Sequence, residues 1–142
     1  MALYTAAKFA VEGLADSYRY ELSQLGIDSV TVEPGPCQTG IFVKTDPPAD
    51  DARAADYRQA AIPHQIRIAL EASTAPSQEV ADAVLRLIET PAGHRPLRTL
   101  VGPMAISLQP INDAAEHIQR EVLTTMGLAH LLSVPEAKGE AE

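Results

Sequence analysis

The chain has 142 residues, 46% of them hydrophobic and 21% charged, with a formal net charge of -8. That balance suits one ordinary soluble domain and excludes a chain disordered throughout. The acidic excess argues against a nucleic-acid partner, whose binding needs clustered Lys and Arg to replace counterions. Cys37 is the single cysteine, so no disulfide can form within the chain, a reducing compartment is expected, and Cys37 itself reads as a small packing residue.

Val11, Leu14, Ala15, Tyr18, Leu22 and Leu25 recur at helical spacing and predict a helix over residues 4–25, with Gly26 supplying the left-handed residue after the last turn. Phe9, Ala10, Gly13 and Tyr20 spread apolar surface onto its other sides, so contact with both a sheet and another helix is expected. Tyr4 and Lys8 stand near its start, one turn apart on one face, about 5–6 Å apart at Cβ. A phenol with its ordinary pKa of about 10 keeps its proton near neutrality, and a neighbouring cation favours the phenolate. The pair therefore suits acid–base work at one substrate atom. The same spacing also occurs on exposed helices that perform no chemistry, so the pair needs support from elsewhere in the chain.

Residues 29–33 read as a short strand that Pro34 stops. Residues 40–76 differ in character from the rest: the acidic, proline-rich run Asp46-Pro47-Pro48-Ala49-Asp50-Asp51 leads into an alanine-rich helical segment interrupted at Pro63. Asp46, Asp50 and Asp51 read as a solvated loop. Pro76 and Ser77 start the next helix, with Glu79 in its first turn and Val80, Ala83, Val84, Leu87 and Ile88 on one stripe before Pro91. Residues 97–101 give a second strand ending at Gly102, so strand, crossover helix and strand make a βαβ unit with parallel strands and a right-handed crossover. A last helix is predicted over residues 113–126, with Ala114, Ile118, Val122 and Met126 on a stripe for core packing or a subunit interface. Residues 134–142 form an acidic tail.

Tyr4-x-x-x-Lys8, a helix closing on Gly26-Ile27, a strand ending in Glu33-Pro34-Gly35 and Thr39 five residues after that proline together resemble the short-chain dehydrogenase/reductase family. The likeness is dense to Phe42, looser to about Gly102 and weak beyond. It implies an α/β fold, the carboxyl-terminal part of a Rossmann-like doubly wound parallel sheet, with helix, strand, crossover helix, strand and helix in that order. It implies an oxidoreductase that moves hydride between NAD or NADP and an alcohol or carbonyl substrate. Tyr4 matches the acid/base at the carbinol oxygen, and Lys8 the residue that lowers the tyrosine pKa and holds the nicotinamide ribose. Pro34 and Gly35 match the turn that meets the nicotinamide, Cys37 the position whose main chain meets the carboxamide, and Thr39 the hydroxyl at the same end. Residues 40–76 match the substrate flap, where Ile41, Phe42, Tyr57, Ile62 and Ile66 either face the substrate or form ordinary core for a short helix. The helix over residues 4–25 matches the one that pairs with its symmetry mate in a homo-oligomer.

One family feature is missing. No two of the eight glycines form Gly-x-Gly, whereas a dinucleotide site needs a glycine-rich turn that delivers backbone N–H groups and a helix N-terminus to the pyrophosphate. The expectation is a single partial domain over residues 1–142 from a longer reductase, inactive by itself; the other reading is a non-catalytic remnant acting as an oligomerisation module. His64, His94, His117 and His130 lack the short spacing of a metal site, and no Gly-x-Ser-x-Gly elbow occurs. No window approaches 18 uninterrupted apolar residues, and the amino terminus lacks a basic stretch followed by an apolar one, so a cytoplasmic, membrane-free and metal-free protein is expected.

Overall fold

The computed structural model describes residues 2–37, 39, 40, 44, 50, 53, 62–73 and 75–135. Helix α1, Ala2–Leu22, continues as a 3-10 turn, Ser23–Leu25. Gly26 then adopts φ +80°, the left-handed conformation expected of it, and its N–H closes the turn on the Ser23 carbonyl at 3.0 Å. Strand β1, Thr31–Pro34, follows. After α2, Ile62–Glu71, and α3, Gln78–Glu89, comes strand β2, Arg98–Val101, and then α4, Gln109–Thr125. A 3-10 turn, Ala105–Leu108, leads into α4, and another, Ala129–Leu132, lies beyond it.

β1 and β2 pair in parallel, Thr31 opposite Arg98 and Pro34 opposite Val101, so the described residues form an α/β unit around a two-stranded sheet. Pro34 belongs to the strand rather than stopping it. The Thr31 N–H donates to the Leu97 carbonyl and the Gly35 N–H to the Val101 carbonyl, both at 2.8 Å. With a period of two, the odd-numbered residues face β2, and the donor that Pro34 lacks faces the other edge, where no ladder bond is lost.

The same period sorts the side chains. Thr31, Glu33, Arg98 and Leu100 share one face, and Val32, Thr99 and Val101 the other. Helix α3 lies against both strands, and among the described residues the buried apolar ones are Ala83 and Leu87 of α3 with Leu97, Val101 and Ala105. The stripe foreseen on α3 is narrower in fact, since Val84 and Ile88 are exposed. The proline expected to interrupt a helix, Pro63, stands in the first turn of α2, where the missing donor has no intrahelical partner to lose. α4 starts earlier than predicted because Pro110 fits its first turn. Its stripe is not core: Ile118, Val122 and Met126 are each half or more exposed.

Candidate functional site

Tyr4 and Lys8 ride on the first turns of α1, where every residue from 2 to 11 is exposed. The spacing of four brings them together as expected, with the Lys8 ammonium 5.5 Å from the Tyr4 ring centroid, within cation–π reach. Among the described residues neither takes part in a side-chain hydrogen bond or ion pair, so phenol and ammonium are both open to a ligand. The second group of predicted residues lies at the carboxyl end of β1. Pro34 and Thr39 are exposed, while Gly35 and Cys37 are half-buried, Cys37 as a free thiol. No hydrogen bond or ion pair among the described residues joins this turn to Tyr4 or Lys8.

Gly35 has a reason for its missing side chain inside the protein: a Cβ there would come within 3.2 Å of the Ala105 backbone nitrogen and 3.5 Å of the Val101 carbonyl. The turn is also tied to the end of α2, because the Ser73 hydroxyl donates to the Pro36 carbonyl at 2.5 Å. Of the predicted substrate residues, Ile66 is half-buried on α2, whereas Ile41, Phe42 and Tyr57 lie outside the described residues. A cavity of about 210 Å³ lined by Arg19, Arg95, Glu116, Gln119 and Leu132, among others, contains none of the predicted site residues.

What joins the helix of Tyr4 to the strand of Pro34 is a polar circuit that sequence reasoning missed. Arg98 Nη2 donates to both carboxylate oxygens of Asp16 on α1, each at 2.8 Å, and its Nε lies 3.5 Å from Glu33 Oε1 on β1. Glu33 Oε2 accepts from Asn112 Nδ2 on α4 at 2.8 Å. Seven residues along the same helix face, Gln119 Nε2 donates to Asp16 Oδ2 at 2.6 Å and closes the loop. The Arg98 and Glu33 side chains are only 6% and 10% exposed. A buried guanidinium survives only with paired and hydrogen-bonded partners. The available signal was the charge on residues 33 and 98 within otherwise β-rich runs, since a charge on a covered strand face must find a partner.

The circuit holds more negative than positive charge. Asp16, Glu33 and Glu116 all approach Arg98, and Glu12 lies close enough to feel them. The Glu12 pKa is raised by burial first, then by the charge of Glu33, with Arg98 opposing and Asp16 adding to the rise. Burial likewise raises the Tyr20 phenol, followed by Asp16. For Glu12 the folded state holds its proton more tightly than the unfolded chain does. Folding stability is therefore greater when Glu12 is protonated and falls as pH climbs from the ordinary carboxylate range through the raised value. Glu12→Gln should flatten that decline in a series of thermal melts across mildly acidic to neutral pH; an unchanged slope would show that Glu12 does not cause it.

A second cluster fixes the other end of α1. Asp28, with its side chain 1% exposed, pairs with Arg19 at 3.4 Å and Arg95 at 3.8 Å, and accepts from the Gly93 N–H at 3.1 Å. Arg19 also donates to the Leu132 carbonyl, and Ser29 Oγ to the Ala15 carbonyl. Among the described residues no group of His, Cys, Asp and Glu could hold a metal ion, and no helix is long and apolar enough to cross a membrane.

Residues 1–50 match the model of the short chain dehydrogenase family. The chain is 34% identical over 89 residues to the uncharacterized oxidoreductase YusZ of Bacillus subtilis (strain 168), an alignment covering 59% of this chain and 31% of that protein. It is 37% identical over 54 residues to the NADPH-dependent 3-dehydrocapnine reductase of Ornithobacterium rhinotracheale, covering 38% of this chain and 19% of that one. The chain thus spans less than a third of the length of either of these curated relatives.

Proposed function

Because residues 1–50 match the short chain dehydrogenase family model, we propose that the chain forms the carboxyl-terminal part of an NAD(P)-dependent oxidoreductase of that family acting on an alcohol or carbonyl, with Tyr4 as the acid/base. The observation that carries this reading is the Lys8 ammonium over the Tyr4 ring, with both side chains open to a ligand. The residues present fit the nicotinamide end of a dinucleotide: two free donors on α1, and the exposed Thr39 hydroxyl beside a strand's carboxyl end, where ligands of open α/β sheets gather.

In oxidation, Tyr4 Oη takes the proton of the substrate hydroxyl while Lys8 stabilises the phenolate; in reduction, Tyr4 returns that proton to the carbonyl oxygen. The coenzyme, when bound, accepts or supplies the hydride, so the electron pair never rests on the protein. Lys8 would also hold a sugar hydroxyl of the coenzyme, and Thr39 and the main chain at Cys37 would hold its carboxamide end. Substrate preference is assigned to Ile41, Phe42 and Tyr57. The exposed apolar residues of α1, among them Leu3, Phe9, Val11 and Leu14, pair with a second copy.

No glycine-rich phosphate turn occurs in these residues, so the chain alone should give no saturable fluorescence change with NADH or NADPH. A longer polypeptide carrying such a turn ahead of Tyr4 should bind one of the two. Micromolar binding by the isolated chain would overturn the partial-domain reading; failure of the longer polypeptide to bind either would overturn the oxidoreductase reading.

A further inference from the structure

We infer that Arg98 is a positioning residue, which sets the helix bearing Tyr4 and Lys8 against the carboxyl end of the strand bearing Pro34 and Gly35. The inference rests on the function proposed above and adds a residue to it. Among the described residues no side-chain hydrogen bond or ion pair holds the first turns of α1: residues 2–11 are exposed, and the side-chain bonds from α1 to other elements begin at residues 15 and 16. Ser29 and Asp28 tie the helix to the approach to β1. Among the described residues the direct side-chain path from the helix to the end of β1 runs from Asp16 through Arg98 to Glu33, one residue from Pro34. Gln119 and Asn112 brace the same two carboxylates from α4.

Leverage makes this brace matter. Tyr4 lies twelve residues from Asp16, roughly 18 Å along a stiff helix at about 1.5 Å per residue. A tilt of about 5° at the brace would move the phenol by roughly 1.5 Å, and a misplacement of about 1 Å can cost on the order of 100-fold in rate. Arg98 suits the task because its planar fork addresses Asp16 from Nη2 and Glu33 from Nε at once, which a lysine could not do.

The sole cysteine, Cys37, offers a test in the chain itself. A spin label there broadens backbone amide signals according to their distance, so the signals of residues 4–8 report the separation of helix and turn. Arg98→Met, and Asp16→Asn as a variant that keeps shape while losing charge, should change that broadening by at least about twofold while leaving residues 80–88 of α3 unaltered. An unchanged pattern at residues 4–8 in Asp16→Asn overturns the proposal, whether or not Arg98→Met folds. In the complete reductase, Arg98→Met should lower kcat by on the order of 100-fold with coenzyme KM unmoved; equal losses in both would mark a merely structural role. The spin-label result does not depend on catalysis. Turnover that survives loss of the Tyr4 hydroxyl would sink the proposed function while leaving the brace intact.

Discussion

Tyr4→Phe in the complete reductase should lower kcat by about 10²–10⁴-fold, the usual contribution of a positioned acid–base group, with coenzyme affinity unchanged. The ring, its packing and its place over Lys8 remain; only the exchangeable proton is removed. Lys8→Met should behave differently. It removes both the cation that favours the phenolate and a donor to the coenzyme, so kcat should fall and coenzyme KM rise together. Turnover by Tyr4→Phe within about twofold of the parent would remove Tyr4 from its role, since that is far below the contribution of any acid–base catalyst.

Asp28→Asn should destabilise the fold by about 3 kcal/mol, the scale expected when one partner of a buried ion pair is deleted and the rest stay behind. Asn keeps the shape of the side chain and can still accept from the Gly93 N–H, so the loss isolates the charge that Arg19 and Arg95 share. Both guanidiniums are partly open to water, at 13% and 25% exposure, which places the effect at the lower end of the range for buried pairs. Against a total stability of about 5–15 kcal/mol for a typical domain, a loss of that size is large. Urea denaturation reads it directly. Asp82→Asn provides the control, as Asp82 accepts an exposed bond from Gln78 and its loss should stay within about 0.5 kcal/mol. A loss below about 1 kcal/mol for Asp28→Asn would mean that Arg19 and Arg95 satisfy themselves on carbonyls and water.

The α1 surface links these results. Leu3, Phe9, Val11, Leu14 and Tyr18 are exposed along the helix that carries Tyr4 and Lys8, and β1 is paired on one edge alone among the described residues. Apolar helix faces and free strand edges of this kind are association surfaces.

The features legible in the sequence were those set within a few residues. The turn at Gly26, the adjacency of Tyr4 and Lys8, the helix between the two strands and the strands themselves follow from short-range geometry: a 3.6-residue period, a two-residue period and the backbone freedom of glycine. Even Pro34 could be misplaced by only a residue, because proline fixes its own φ and withholds one donor wherever it stands.

The tertiary structure decided what those rules leave open, namely which faces are covered and which distant charges meet. Arg98 is bonded to Asp16 across 82 residues of chain and Asn112 to Glu33 across 79. No local pattern encodes such pairings, since they depend on strand register and on how far each helix rolls over the sheet. The exposure of Ile118, Val122 and Met126 has the same origin: a stripe records that a helix has an apolar side, and only packing determines whether anything lies against it.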